Sequence, residues 1–147
     1  MLASVTQLSD TPSTLFSNRL VQARQLRGLS QRALGDRMGL GKKTGSTRIN
    51  RYEQQASALG LNSLDAVAKA LDVPAAYLLA ETPQMADAIL VIAETPEMAD
   101  AILAIAQVDP ARQVDIANLL KALGSDPALL TKLLALASNT ADPSPAQ

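Results

Sequence analysis

The segment "KKTGSTRINRYE" (residues 42–53) carries the side chains of this chain that are best suited to bind a ligand. Its cations are Lys42, Lys43, Arg48 and Arg51, and short polar residues lie between them. Lysine and arginine at this density bind phosphates, and guanidinium or short polar groups on a helix can bond to base edges. The segment therefore predicts a nucleic-acid surface; a solvated charged face is the alternative interpretation.

The composition excludes most catalytic chemistry. The 147 residues include no Cys and no His, which removes disulfides, thiol chemistry, Cys/His metal sites and imidazole acid–base catalysis. No Gly-rich phosphate loop or catalytic pair of carboxylates is evident, so we expect no enzyme activity, no metal and no cofactor. The N-terminus resembles no secretory signal and no apolar run could span a bilayer, which predicts a cytoplasmic, nucleoid-associated protein.

The charge is divided along the chain. Residues 1–60 hold nine Lys and Arg against three Asp and Glu, a balance of +6. Residues 61–147 hold four against eleven, a balance of −7, which leaves the net charge of −1. A basic front half and an acidic rear half suggest two separate functional surfaces.

The front half is predicted to form helices that position the basic segment. Aromatic residues make up only 2% of the chain, and no strand-length run alternates β-branched or aromatic residues, so we expect an all-α fold. Five short helices fit residues 13–81, and the third carries the basic segment with Ile49 and Tyr52 facing inward. The other four are expected to begin at Ser13 or Thr14, Ser30, Ser63 and Pro74.

The rear half contains a repeat. "ETPQMADAILVIA" (81–93) recurs as "ETPEMADAILAIA" (94–106). Because proline can begin a helix and disfavours helical backbone just before it, we expect separate helices at 83–93, 96–106, 110–123 and 127–138. Helices this short are marginal alone, so their apolar faces must pack on one another, on the front bundle or on a second chain.

Three motifs occur in sequence order in the front half: "GLSQ" (28–31), "INRYE" (49–53) and "LDAVAKALDVP" (64–74). With them, residues 16–80 resemble the lambda-repressor/Cro-like (Xre) helix-turn-helix family. The resemblance implies a five-helix bundle whose third helix enters the DNA major groove. It also implies a transcriptional regulator, most often a repressor, that binds a palindromic operator as a dimer.

The outer face of the third helix is the predicted reading surface. Residues at i, i+1, i+4 and i+5 share one side of a helix, and these are Ser46, Thr47, Asn50 and Arg51. The family resemblance also puts Ser46, Thr47 and Arg51 at base-reading positions. Arg51 could pair with a guanine, and Asn50 could reach an adenine or a phosphate. The alternatives are a helix cap for Ser46 and Thr47 and a solvated position for Arg51.

Other residues are expected to hold the DNA backbone. Lys42, Lys43 and Arg48 are interpreted as phosphate contacts, with unpartnered loop charges as the alternative for the two lysines. The resemblance implies a backbone contact for Gln31, at the start of the second helix; a plain first-turn residue is the alternative.

The resemblance also implies a structural ion pair. Glu53 matches a family glutamate that pairs with an arginine of the first helix, here Arg24, and fastens the third helix without touching DNA. One departure from the family is the interval from Leu40 to Ile49, which is about four residues longer than usual. The extra residues either lengthen the turn or extend the helix.

The expected organisation is a flexible N-terminus (1–12), a helix-turn-helix DNA-binding domain (13–81), a helical dimerisation region (82–138) and a disordered tail (139–147). Double-stranded DNA and a second copy of the chain are the expected partners, and no membrane is expected. Two alternatives stay open for the rear half. It could be a monomeric extension, or residues 83–138 could bind a protein partner, as in an antitoxin or adaptor that autoregulates its operon.

Overall fold

The computed structural model describes residues 11–140, and within these residues the chain is helical with no strand. The helices are α1 (Pro12–Leu26), α2 (Gln31–Arg37), α3 (Gly45–Glu53), α4 (Leu61–Leu71), a 3₁₀ helix (Ala75–Leu79), α5 (Pro83–Glu94), α6 (Pro96–Ala106), α7 (Pro110–Ser125) and α8 (Pro127–Thr140). The predicted all-α class is confirmed. Most of the predicted tail (139–147) and N-terminus (1–12) lies outside the described residues.

Side-chain caps begin several of these helices. Ser30, Thr82 and Asp109 each accept a hydrogen bond from the backbone N–H three residues later, at 3.0, 3.1 and 3.1 Å. Such a bond satisfies one of the amides that the first helical turn leaves without a partner. A proline follows Thr82 and Asp109 and takes the first helical position, where its missing N–H costs nothing.

Some predicted helix starts are wrong. α1 is capped by Thr11, whose Oγ1 accepts from Thr14 N at 3.3 Å, because Pro12 occupies the first helical position and places Ser13 inside the helix. α4 begins two residues before Ser63. The backbone preceding it is already extended at its glycine cap, so the helix starts without a side-chain oxygen.

The fifth predicted helix is a 3₁₀ helix. Pro74 stands just before it with extended backbone, and only Ala75–Leu79 are wound. Short 3₁₀ segments commonly connect longer helices, and this one buries Tyr77 and Leu78. The 3₁₀ helix therefore packs into the core of the bundle, as expected of the fifth helix, although it is shorter than the predicted α-helix.

The core of the bundle is aliphatic, as the composition predicts. Its largest fully buried side chains come from α1, α2, α3, α4 and the 3₁₀ helix: Leu20, Leu34, Ile49, Val67, Leu71 and Leu78. Phe16 and Tyr52 add an edge-to-face contact between α1 and α3, with ring centroids 6.5 Å apart. These contacts fix α3 against the rest of the bundle.

α5 belongs to the same compact unit as the bundle. That unit extends to Met98, and a second unit begins at Ala99. Ala86 of α5 is 1% exposed in the bundle core, and Ile89 and Leu90 pack against that core. The predicted boundary at residue 81 thus falls before a helix that contributes to the bundle.

The helices of the rear half lie close to their predicted positions. The proline-started helices at 83–93 and 96–106 are observed as Pro83–Glu94 and Pro96–Ala106, and the last two extend two residues further than predicted. In the second unit α7 packs against α8, yet α7 has no buried residue and α8 has none through residue 138. Within residues 11–140, no helix combines the length and apolar character needed to cross a membrane.

Candidate nucleic-acid interface

The two sides of α3 have opposite character. Ile49 is 0% exposed and Tyr52 is 4% exposed, so both anchor the helix in the core. The other side carries the predicted reading residues, of which Thr47, Asn50 and Arg51 are exposed and Ser46 is half-buried. This division follows from the helical period, which places residues three apart on one face. The predicted polar surface therefore faces solvent.

The extra residues before α3 lengthen the turn and do not extend the helix. α3 begins at Gly45, and the carbonyl oxygen of Gly41 accepts bonds from Thr44 N at 3.3 Å and Gly45 N at 3.0 Å. Gly41 has φ +71°, which suits glycine in this turn. Lys42 and Lys43 therefore lie exposed in the turn, immediately before the helix that carries the reading face.

A contact between two glycines sets the distance between α2 and α3. A Cβ added to Gly35 would lie 2.6 Å from the Cα and the carbonyl carbon of Gly45. Both glycines are buried, so any larger residue at position 35 would push the two helices apart. No sequence motif predicted this contact. Its one signal was a glycine inside a short helix, where glycine is otherwise unfavourable.

The Arg24–Glu53 pair is present and joins α3 to α1. Arg24 Nε lies 2.6 Å from Glu53 Oε1, and Arg24 Nη2 donates to the other carboxylate oxygen at 3.3 Å. The guanidinium also donates to the Leu29 carbonyl at 2.9 Å. The Glu53 side chain is only 5% exposed, so this two-point contact is largely shielded from water and fixes the end of α3.

Gln31 lies at the start of α2 with its side chain directed toward α3. Its Nε2 donates to Glu53 Oε2 at 2.6 Å and approaches Asn50 Oδ1 at 3.4 Å. Because a glutamine amide has only two donor hydrogens, a contact from this nitrogen to a phosphate requires one of these bonds to be exchanged. This arrangement places Asn50 beside the structural pair as well as on the exposed face.

Among the described residues, the basic side chains on α3 and the turn before it have no carboxylate partner. Within the part of the chain that the structure describes, every ion pair involves other cations, namely Arg24, Arg27, Lys69 and Arg112. Arg48 Nε donates to the Tyr52 hydroxyl at 3.2 Å. Lys43, Thr47, Arg48 and Arg51 line one groove along the helix. The groove is therefore a positively charged surface whose charge is not neutralised by any carboxylate of residues 11–140.

A family model described as "Helix-turn-helix" matches residues 20–78. This match confirms the resemblance of this region to the lambda-repressor/Xre-like helix-turn-helix family. Among solved structures, the chain is similar to the crystal structure of transcriptional regulator BswR, with 24% identity and a TM-score of 0.48. That match covers 74% of this chain and 96% of the BswR chain. A comparison with curated proteins finds no match.

The helix-turn-helix match relates the residues described above to the two helices of the motif. The matched region contains α2 and α3, the two helices of the motif, and with them the exposed side of α3. The family supports a DNA-binding regulator of transcription as the function of the chain. The Gly35–Gly45 contact, the lengthened turn and the Gln31 contacts to α3 are features of the helix pair that the sequence motifs did not predict.

Proposed function

We propose that the protein is a sequence-specific repressor that binds a palindromic operator as a homodimer. The observation that carries this proposal is the exposed side of α3. It presents polar and guanidinium groups to solvent, while the opposite side of the helix is apolar and buried in the core. A helix fits the major groove, and each base pair displays a distinct pattern of donors and acceptors there. Cations on that face that form no ion pair within residues 11–140 favour a polyanion over a neutral partner.

The side chains on this face have two kinds of role. Arg51 and Asn50 read base edges, assisted by Thr47 and Ser46 near the start of α3. Arg51 is the strongest candidate because its guanidinium is exposed, unpaired in the described residues and able to bond to a guanine at two points. These contacts decide which sequence is bound.

The remaining cations hold the phosphates. Lys42 and Lys43 lie on the lengthened turn and Arg48 on the flank of α3, all exposed. Such contacts position the domain along the duplex and carry no sequence information of their own. Gln31 joins them once its amide exchanges a bond to α3 for one to a phosphate.

The second unit supplies the dimer contacts in this proposal. α7 and α8 leave large apolar side chains exposed, namely Val114, Leu119, Leu120, Leu130, Leu134 and Leu136. Exposed apolar surface of this extent marks an interaction site on a soluble protein. A second copy is the partner we favour, because two half-sites about 34 Å apart need two linked domains.

The decisive experiment is selection of bound duplexes from a random pool by the full chain, followed by affinity measurement over a salt series. We expect a palindromic motif whose affinity falls steeply with salt, because phosphate contacts release counterions. A pool that yields no motif preferred over random competitor DNA would refute sequence-specific binding. A motif without two-fold symmetry would refute binding of a palindrome by a dimer. Sequence-specific binding by a single domain would then remain.

The dimer is tested separately by Leu120→Glu in the full chain, with Asp115→Glu on the same helix as the conservative control. We expect the leucine variant to sediment as a monomer at concentrations where the parent and the control are dimers. The reason is that a charge in an apolar interface loses its hydration. If the leucine variant remains dimeric, or if the parent is monomeric and co-purifies with a second protein, the homodimer part of the proposal fails.

A further inference from the structure

Arg19 in α1 is a buried cation that has no carboxylate partner in the described part of the chain. The residue is only 4% exposed. Its Nε donates to the Ala80 carbonyl at 3.0 Å, and its Nη1 donates to Gln22 Oε1 at 2.6 Å, so both acceptors are neutral. Because a buried charge is normally paired with an opposite charge, Arg19 lacks the anion that its burial favours.

One edge of the Arg19 guanidinium is open to solvent. Among residues 11–140, no acceptor is bonded to Arg19 Nη2. No side-chain nitrogen or oxygen of these residues is both fully buried and without a hydrogen bond, so Nη2 must reach the molecular surface. Arg19 lines a surface cavity of about 400 Å³ between α1 and the residues that begin α5. This cavity is where its free N–H groups are accessible to a ligand.

The other polar side chains of this cavity suit a ligand that carries two opposite charges. Glu81 lines the same cavity as Arg19, and its carboxylate forms no ion pair within the described residues. Asn18 and Gln22 also line the cavity, and the amide group of each can donate to a carboxylate. The cavity therefore offers hydrogen-bond donors for a carboxylate along α1 and an acceptor for an ammonium group at Glu81.

The rest of the cavity lining is apolar. Leu15 and Val21 contribute from α1, where both are half-buried, and Pro83 contributes from the start of α5. Small-molecule sites commonly combine apolar walls with a few polar groups in a volume of about 300–1,000 Å³. This cavity has that composition and lies within that range of volume, so it can also cover an apolar part of the ligand.

We infer that this cavity binds a free amino acid with an apolar side chain. The carboxylate of the ligand accepts a hydrogen bond from Arg19 Nη2, and its ammonium group donates to Glu81. The ligand thus supplies the opposite charge that Arg19 lacks, through charge-assisted hydrogen bonds. A peptide would carry its two charges at opposite ends, whereas a free amino acid brings both into one cavity. This site is separate from the DNA surface on α3 and does not depend on it.

The first test is isothermal titration calorimetry of the full chain with each of the protein amino acids, in the absence of DNA. We expect saturable binding of one or more of the apolar amino acids. The same amino acids should raise the midpoint of thermal unfolding, because a ligand that binds the native state stabilises it by mass action. If no amino acid binds, or if charged amino acids bind as tightly as apolar ones, the assignment of this ligand is wrong.

Analogues of the tightest-binding amino acid test its two charges separately. One analogue keeps the amine and lacks the carboxylate, and the other keeps the carboxylate and lacks the amine. Each should bind at least about tenfold more weakly than the amino acid, because each loses hydrogen bonds that involve a charged group. An analogue that binds as tightly as the amino acid would show that the cavity does not recognise the missing charge, which would overturn the assignment of a zwitterion.

The test variant is Glu81→Gln, because Glu81 is exposed and its substitution leaves the core intact. Arg19 is kept, since its bond to Ala80 also joins α1 to the end of the bundle. The matched control is Glu97→Gln, the same substitution at an exposed position of α6. We expect Glu81→Gln to weaken binding of the amino acid by about tenfold or more and the control to bind like the parent. Equal affinities in the two variants would refute the site, whereas selection of DNA by the parent chain tests the proposed function independently.

Discussion

Leu34 in α2 and Leu134 in α8 show how differently the two units use the same residue type. Leu34 is 0% exposed, whereas Leu134 is 62% exposed. Both lie on amphipathic helices whose apolar residues recur at helical spacing. In the bundle such faces meet within one chain, while α7 and α8 pack on each other and still leave large apolar side chains exposed. The comparison shows that an apolar pattern identifies which face of a helix can pack against another element. The pattern does not identify which element, if any, packs against that face.

The largest expected effect comes from truncating these two leucines. Leu34→Ala should lower the free energy of unfolding by about 2–5 kcal/mol, because it removes buried surface and leaves a cavity. Leu134→Ala should change it by no more than about 0.5 kcal/mol, as is usual for exposed positions. Urea unfolding at concentrations low enough to exclude association measures both. Equal losses would mean that α8 is covered by its own chain, and the contrast between the units would disappear.

Two glycines should respond to alanine with opposite signs. Gly35→Ala places a Cβ 2.6 Å from the backbone of Gly45, so we expect a loss of about 1–3 kcal/mol in unfolding free energy from overpacking. Gly124 in α7 has nothing within 4 Å of an added Cβ, and Gly124→Ala should stabilise by about 0.4–1 kcal/mol by restricting the unfolded chain.

Thermal unfolding of the two glycine variants gives the signs directly, and DNA binding gives a second measurement. A displaced α3 should weaken operator binding in Gly35→Ala, whereas Gly124→Ala should bind like the parent. If Gly35→Ala is as stable as the parent, α2 and α3 can separate at no cost, and the close approach does not set the geometry of the reading helix.

The parts of the fold that sequence patterns predicted are those governed by local rules. The cap at Ser30 depends on a neighbouring amide, and the burial of Ile49 and Tyr52 depends on the helical period, so both follow from residues within one or two turns. The proline-started helices of the rear half were likewise placed to within about two residues, which is the ordinary uncertainty of helix ends.

The parts that could not be predicted depend on contacts between distant elements. Nothing in the segment around Gly35 indicates that Gly45 will lie against it, and the family resemblance left open whether the extra residues would lengthen the turn or the helix. The packing of Ala86 into the bundle was missed for the same reason, because its sequence is shared with α6, whose equivalent is less buried. The exposed face of α3 could thus be predicted, while its spacing from α2 and the Gln31 contacts could not.

Substitutions on α3 and on the turn before it should distinguish base contacts from phosphate contacts. Arg51→Ala is expected to weaken binding to the selected operator by about 1–3 kcal/mol and to relax the preference at one base position. Lys42→Ala should weaken binding to all duplexes alike and reduce the salt slope by about 1. Fluorescence anisotropy with operator and scrambled duplexes at several salt concentrations distinguishes the two. An Arg51 variant with unchanged base preferences would show that the assigned register of α3 is wrong.

The smallest expected effect concerns an ion pair of the second unit. It tests whether burial determines how much an ion pair contributes to the stability of each unit. Arg112 lies 3.3 Å from Asp109, with side chains 75% and 56% exposed, whereas Arg24 and Glu53 are 16% and 5% exposed. Water and salt screen the exposed pair, so Arg112→Ala should cost no more than about 0.5 kcal/mol of unfolding free energy.

The matched variant is Arg24→Ala, which leaves the Glu53 carboxylate buried with only Gln31 and the protein interior around it. A buried charge deprived of its partner is strongly destabilising, so this loss should exceed that of Arg112→Ala several-fold and should persist in high salt. Urea unfolding of both variants at low and high ionic strength compares them. If the two losses are equal, the ion pair of the bundle gains nothing from its burial, and the fastening of α3 must come from its apolar side alone.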